Sequence, residues 1–100
     1  MACPHPLYKN LENNYHVYNQ FTLRVKKRLD FISHLEKNDI PYGIYYPIPI
    51  YKQKAFKKYN YKYNLSNTNK ITKECISIPI YPELDEKSYK RIVEVINKYK

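Results

Sequence analysis

Tyr45, Tyr46 and Tyr51 sit in or beside the stretch Gly43-Ile44-Tyr45-Tyr46-Pro47-Ile48-Pro49-Ile50, which holds the only glycine of the chain, two adjacent phenols and two prolines. A phenol donates a hydrogen bond to a phosphate or sugar oxygen and offers an apolar ring face, but carries no positive charge at neutral pH. The prolines keep the backbone extended on either side of Ile48. A lone glycine inside a strand marks a bulge or a close approach to the backbone. Strand alternation predicts that Tyr45 and Tyr46 face opposite ways, one ring packed inward and the other presenting its hydroxyl. The chemistry open to this elbow is recognition by stacking and hydrogen bonding. The same rings would also pad a subunit interface.

His16, Gln20 and Arg24 recur at spacing four, which places them on one face of a strand about 13 Å apart. Such a row is either an anion-binding surface or the solvated side of a strand, pairing with acidic groups of a neighbouring domain. Other chemistries are not expected. Cys3 and Cys75 lack Cys-x-x-Cys spacing, and Cys3-Pro4-His5 offers only two ligand types in a polar terminus, so neither a disulfide framework nor a metal site is read. No triad or paired carboxylates are indicated. One glycine cannot build a phosphate loop. An imine-forming lysine needs a buried or electropositive setting to lower its pKa, and the 15 lysines fall in polar windows.

These side chains must be positioned by a small number of elements. Residues 1–14 are polar and aperiodic and read as a linker or irregular N-terminus. From Tyr15 to Val25 the pattern alternates, with Tyr15, Val17, Phe21, Leu23 and Val25 inward and Asn19 the polar break, which predicts a strand. Residues 26–38 change to helical spacing, with Leu29, Phe31, Ile32 and Leu35 as the apolar stripe. A second short strand is expected over residues 42–46 and a short basic helix over 51–59. The next helix, capped by Ser66 or Asn67, is expected to turn Ile71 and Cys75 inward. A third strand follows at 76–78. The last helix starts after Asp85, with Tyr89, Ile92, Val93, Ile96 and Tyr99 on one face. The order predicts an α+β fold, a small two-layer sheet-and-helix domain.

Length and composition bound the rest. One hundred residues make one domain with a modest core. Lys, Tyr, Ile and Asn supply 49 of those residues, and the net charge is +9. All four have AT-rich codons, so a biased genome accounts for the charge without a nucleic-acid partner. Three Arg against 15 Lys also argue against phosphate and base recognition, which favours the arginine fork. No apolar run approaches a membrane span and no leader is evident, so the chain reads as soluble and cytoplasmic.

Three stretches share one order and spacing: His16-Val17-Tyr18-Asn19-Gln20-Phe21-Thr22-Leu23-Arg24-Val25, the Gly43–Ile50 elbow, and Ser77-Ile78-Pro79-Ile80-Tyr81-Pro82-Glu83-Leu84. Together they resemble the C-terminal small domain of the pyridoxal-phosphate sugar aminotransferases (the DegT/DnrJ/EryC1/StrS group). The resemblance implies that residues 15–100 are the small domain of a fold-type I aminotransferase. The complete enzyme would move an amino group from an amino acid such as glutamate to a keto-sugar carried on a nucleotide. It would hold pyridoxal phosphate (PLP) on a lysine of a large domain, whose motif this chain lacks. By the family's pattern Gly-x-x-Tyr-Pro-x-Pro-Leu-His, Tyr45, Tyr46 and Tyr51 would contact the nucleotide-sugar substrate. His16, which opens a His-x-Tyr-x-x-x-x-x-Arg pattern, is a further candidate. The family often has His at positions 45 and 51, Asp at 29 and Gly at 39, where this chain has Tyr, Tyr, Leu and Asp. Gly at 39 would allow positive φ at a helix end, which Asp can adopt at some cost.

The implied function is that of a fragment or split part of such an enzyme, inactive alone, needing a homodimer or large-domain partner and binding no cofactor by itself. The alternatives are a non-catalytic interaction module, or a basic nucleic-acid-binding protein.

Overall fold

A computed structural model describes residues 15, 17–59 and 62–99. The element order is β1 (Phe21–Arg24), α1 (Arg28–Lys37), two 3₁₀ turns (Ile50–Lys52 and Lys54–Tyr59), α2 (Ser66–Glu74), β2 (Cys75–Ile78) and α3 (Glu86–Asn97). The two strands pair antiparallel, with Phe21 opposite Ile78 and Leu23 opposite Ile76. Helices together with this small sheet make the chain α+β.

The pairing sets the core. Side chains alternate across a strand, so Leu23, Val25 and Ile76 enter one cluster with Phe31 and Leu35 of α1, Ile40, and Ile92, Val95 and Ile96 of α3. Phe31, Leu35 and Ile76 are fully buried, each stabilising the fold by about 1.5–3 kcal/mol. Tyr99 meets Phe31 edge-on at 4.9 Å between ring centroids, and His34 Nε2 donates to the Val95 carbonyl at 2.7 Å. These contacts tie α3 to α1.

Several expected elements are shorter or turned. The strand expected over residues 15–25 is four residues long, and Tyr15 and Val17 are 88% and 77% exposed. Pairing ends at Phe21–Ile78 because the next residue of β2's chain is Pro79, which has no N–H to donate. The strand expected over residues 42–46 reduces to one bridge between Gly43 and Ser77, since Pro41 and Pro47 bracket it. Leu29 is 77% exposed rather than part of the α1 stripe. Cys75 opens β2 instead of facing inward from a helix, and Ile71 is exposed. Neither Ser66 nor Asn67 makes a side-chain cap, and α2 begins after Leu65. Its last turn is held differently: Arg28 Nη1 donates to the carbonyls of Thr72 (2.6 Å) and Cys75 (3.0 Å), satisfying oxygens at the helix exit.

On α3 the buried set is Ile92, Val95 and Ile96, while Tyr89 and Val93 are exposed. The helix is rotated toward α1 by the His34 and Tyr99 contacts, which brings in Val95. Its cap is as expected: Ser88 N donates to Asp85 Oδ1 at 2.8 Å. At the end of α1, Asp39 has φ of 53°. The Asp39 N–H reaches the Glu36 carbonyl and the Ile40 N–H the Leu35 carbonyl, a Schellman closure that delivers Ile40 to the core.

Candidate functional site

Pro41 follows Ile40 directly, and the chain then crosses the open edge of β2. Gly43 N donates to Ser77 O (2.9 Å) and Ser77 N to Gly43 O (2.7 Å), fixing the elbow to the middle of the strand. The expected close approach at the glycine is internal: the Tyr45 ring folds back so far that a Cβ on residue 43 would lie 2.6 Å from its Cε2, Cζ and Oη. Along the same elbow Cys75 Sγ lies 3.9 Å from the Tyr45 carbonyl oxygen, and toward β1 Ser77 shares a 2.8 Å hydroxyl–hydroxyl hydrogen bond with Thr22. Cys75 and Ser77 are therefore buried although they alternate away from the helical core.

The Tyr45–Tyr46 peptide is cis, and the two rings meet edge-to-face with centroids 5.9 Å apart. This replaces the inward-and-outward split expected from strand alternation. Both rings are largely exposed. Pro49 is buried and anchors the elbow's far end. From the next turn Tyr51 Oη donates to Asn69 Oδ1 of α2 at 2.5 Å.

These segments enclose a cleft of about 400 Å³ walled by Asn19, Gln20, Tyr42, Tyr45, Ser77 and Tyr81 with neighbouring prolines and aliphatics. Among the described residues no charged side chain lines it. Tyr42 Oη donates to Glu36 Oε1 at 3.0 Å, and this hydrogen bond, aided by desolvation and the carboxylate's charge, raises the phenol above its usual range. The wall thus offers amides, hydroxyls and ring faces. That set suits a neutral polyhydroxylated group, held by stacking and hydrogen bonds.

The expected residues divide accordingly. Tyr45 and Gln20 meet in the cleft. Tyr46 stands exposed against Tyr45, and Tyr51 is engaged with Asn69. Arg24 is not free for an anion, because its Nε and Nη2 both donate to Glu74 Oε2, at 3.2 and 2.7 Å. His16 lies outside the described residues, as do Cys3 and His5. Among the described residues no three His, Cys, Asp or Glu side chains gather to hold a metal ion. Nor is any helix among them long and apolar enough to cross a membrane. Asn19, Tyr42, Ser77 and Tyr81 join the site only through the fold. Asn19 had a signal, as the one polar break in an inward-facing row.

The chain belongs to the DegT/DnrJ/EryC1/StrS aminotransferase family, whose model matches residues 3–97. It is 35% identical over 92 residues to a protein of Geobacillus stearothermophilus named pleiotropic regulatory protein, covering 91% of this chain and 25% of the relative. It is 36% identical over 84 residues to the dTDP-3-amino-3,6-dideoxy-alpha-D-galactopyranose transaminase of Aneurinibacillus thermoaerophilus, covering 84% of this chain and 23% of that one. A UDP-2-acetamido-2-deoxy-3-oxo-D-glucuronate aminotransferase of Pseudomonas aeruginosa is 35% identical over 80 residues, or 80% of this chain and 22% of its own. The chain thus spans about a quarter of the length of the relatives it matches.

Proposed function

We propose that this chain is the small-domain part of a nucleotide-sugar aminotransferase of fold type I, and that it contributes the wall against which the sugar rests. The observation that carries the reading is the uncharged, tyrosine-walled cleft at the elbow, in a chain of this family. Two of the relatives are named for transfer to dTDP- and UDP-linked sugars, so the substrate class is a keto-sugar on a nucleotide. Tyr45, Tyr46, Tyr51 and His16 contact it, and Tyr51 also holds the elbow in place through Asn69.

PLP would supply the electron sink for amino transfer in the complete enzyme. Its anchoring lysine is activated by burial, whereas every described lysine is exposed. This chain's own residues bind and orient: the rings of Tyr45 and Tyr81 cover the sugar's faces, and Gln20 and Asn19 address its hydroxyls. Amino transfer then requires a lysine-bearing large domain, joined to this one or supplied by a partner, and the isolated chain is inactive.

Purification from the cells that make it tests this. A longer product, or a tight complex with a lysine-bearing large subunit, supports the reading. A 12.2 kDa species with no partner and no shift of Tyr45 resonances on adding a dTDP- or UDP-sugar rejects it.

A further inference from the structure

Among the described residues three phenols line the cleft, Tyr42, Tyr45 and Tyr81, and they are not held alike. Tyr45 and Tyr81 are 49% and 52% exposed. Of the three, Tyr42 alone has its hydroxyl hydrogen-bonded to another described residue. Its backbone is clamped as well. Ile40 is buried in the core, Pro41 has a fixed φ, and Gly43 exchanges two hydrogen bonds with Ser77. At the tip of the side chain Tyr42 Oη donates to Glu36 Oε1 at 3.0 Å. Glu36 belongs to the last turn of α1, and its carbonyl accepts from the Asp39 N–H. The carboxylate therefore hangs from the closed end of a helix that Leu35 roots in the core.

Glu36 is not among the residues that wall the cleft, so its effect on a ligand passes through Tyr42. The place of a phenol ring is set by χ1 and χ2, and a tether at Oη, the atom farthest from the backbone, fixes both. The hydrogen spent on the carboxylate leaves the Tyr42 oxygen as an acceptor only, so Tyr42 gives the cleft a ring face rather than a donated hydrogen bond. The phenol holds its proton above the usual range, first through this hydrogen bond and then through desolvation and the Glu36 charge. A side chain ordered before binding spares the ligand the cost of ordering it, an effect of about two- to tenfold in affinity.

We propose that Glu36 is a positioning residue for the sugar site: its hydrogen bond to the Tyr42 hydroxyl locks that ring as the fixed wall of the cleft, with Tyr45 and Tyr81 as the untethered walls. On the functional reading above, on which this inference rests, the ligand served is the sugar of a nucleotide-sugar.

The test measures binding of dTDP-glucose and UDP-N-acetylglucosamine to the full chain, purified with any partner it carries from the cells that make it. Glu36→Ala should weaken binding about two- to tenfold. Tyr42→Phe should weaken it to the same extent and the double variant no further, since each removes the same hydrogen bond. Glu36→Gln keeps an acceptor and should stay within about twofold of the unsubstituted chain. A side reading comes from the Tyr42 ζ-carbon NMR resonance, identified by its disappearance in Tyr42→Phe, which should titrate at lower pH in Glu36→Ala. Equal affinity of Glu36→Ala and the unsubstituted chain overturns the proposal and leaves the functional reading standing. So does Glu36→Gln binding as weakly as Glu36→Ala, because the charge rather than the tether would then matter. An unmoved Tyr42 titration means that no tether exists in solution and overturns the proposal too. If the unsubstituted chain binds neither nucleotide-sugar, the functional reading fails and the proposal with it.

Discussion

Gly43→Ala separates the cleft from the fold. Gly43 does not have positive φ, so an L-residue meets no backbone penalty there. The obstacle is the Tyr45 ring, 2.6 Å from where a Cβ would sit, when ordinary contact begins at 3.4 Å. The ring must retreat by about 0.8 Å, and being half exposed it has room to swing outward. Alanine stiffens the unfolded chain, worth about 0.4–1 kcal/mol in favour of the fold. The displaced ring forfeits packing of similar size, about 1 kcal/mol. Net stability in urea titration therefore changes by less than about 1 kcal/mol, while the Tyr45 resonances shift and affinity for a dTDP- or UDP-sugar falls about tenfold. Loss of about 3 kcal/mol or more would show that residue 43 must be glycine for the backbone's sake. Unchanged Tyr45 signals together with unchanged affinity would refute the idea that this glycine exists to seat the ring.

Three other outcomes are expected. Phe31→Ala empties the centre of the core and costs about 3–5 kcal/mol, which in so small a domain abolishes the cooperative unfolding transition seen by circular dichroism. Asp39→Gly relieves the left-handed cap and raises stability by up to about 1 kcal/mol; a lower urea midpoint would mean that the Asp side chain has a partner of greater value. Asp85, through Ser88's hydroxyl and amide, and Glu94, through Lys98, both have carboxyls held below their usual range. The unfolded chain then binds more protons than the native one in acid. The stabilisation is complete above the ordinary carboxylate range, about pH 4, and is lost as pH falls through the lowered native values. Helicity at fixed temperature should drop over that window, and less steeply in Asp85→Asn, which still caps.

Local signals carried well from sequence to structure where one residue settles the geometry. Asp85 caps α3, and the residue at 39 does take positive φ. Most of the succession also follows from periodicity, except that the strand expected over residues 42–46 is a single bridge and the helix expected over 51–59 is two 3₁₀ turns. What periodicity cannot supply is the partner. Tyr15 and Val17 alternate like strand residues, but β2 has no amide left to meet them once Pro79 is reached. Leu29 matches a helical stripe yet points away from the core, and Val95 enters because α3 rotates toward His34 and Tyr99. The cleft was half legible. The elbow tyrosines stand out by composition, whereas Tyr81 and Ser77 become wall residues only through the Gly43–Ser77 pairing, a contact across 34 positions of sequence.

Among the described residues between Ile40 and Cys75, only Pro49 is buried. The stable body is built from the two flanking stretches, and the elbow with the lysine-rich residues after it forms an excursion spanning the gap between them. Closing such a loop costs free energy only as the logarithm of its length, so five added residues change that cost by about 0.1 kcal/mol. Insertions, deletions and charge changes in this stretch are nearly neutral for folding, which lets selection rewrite what the domain recognises while the core stays as it is.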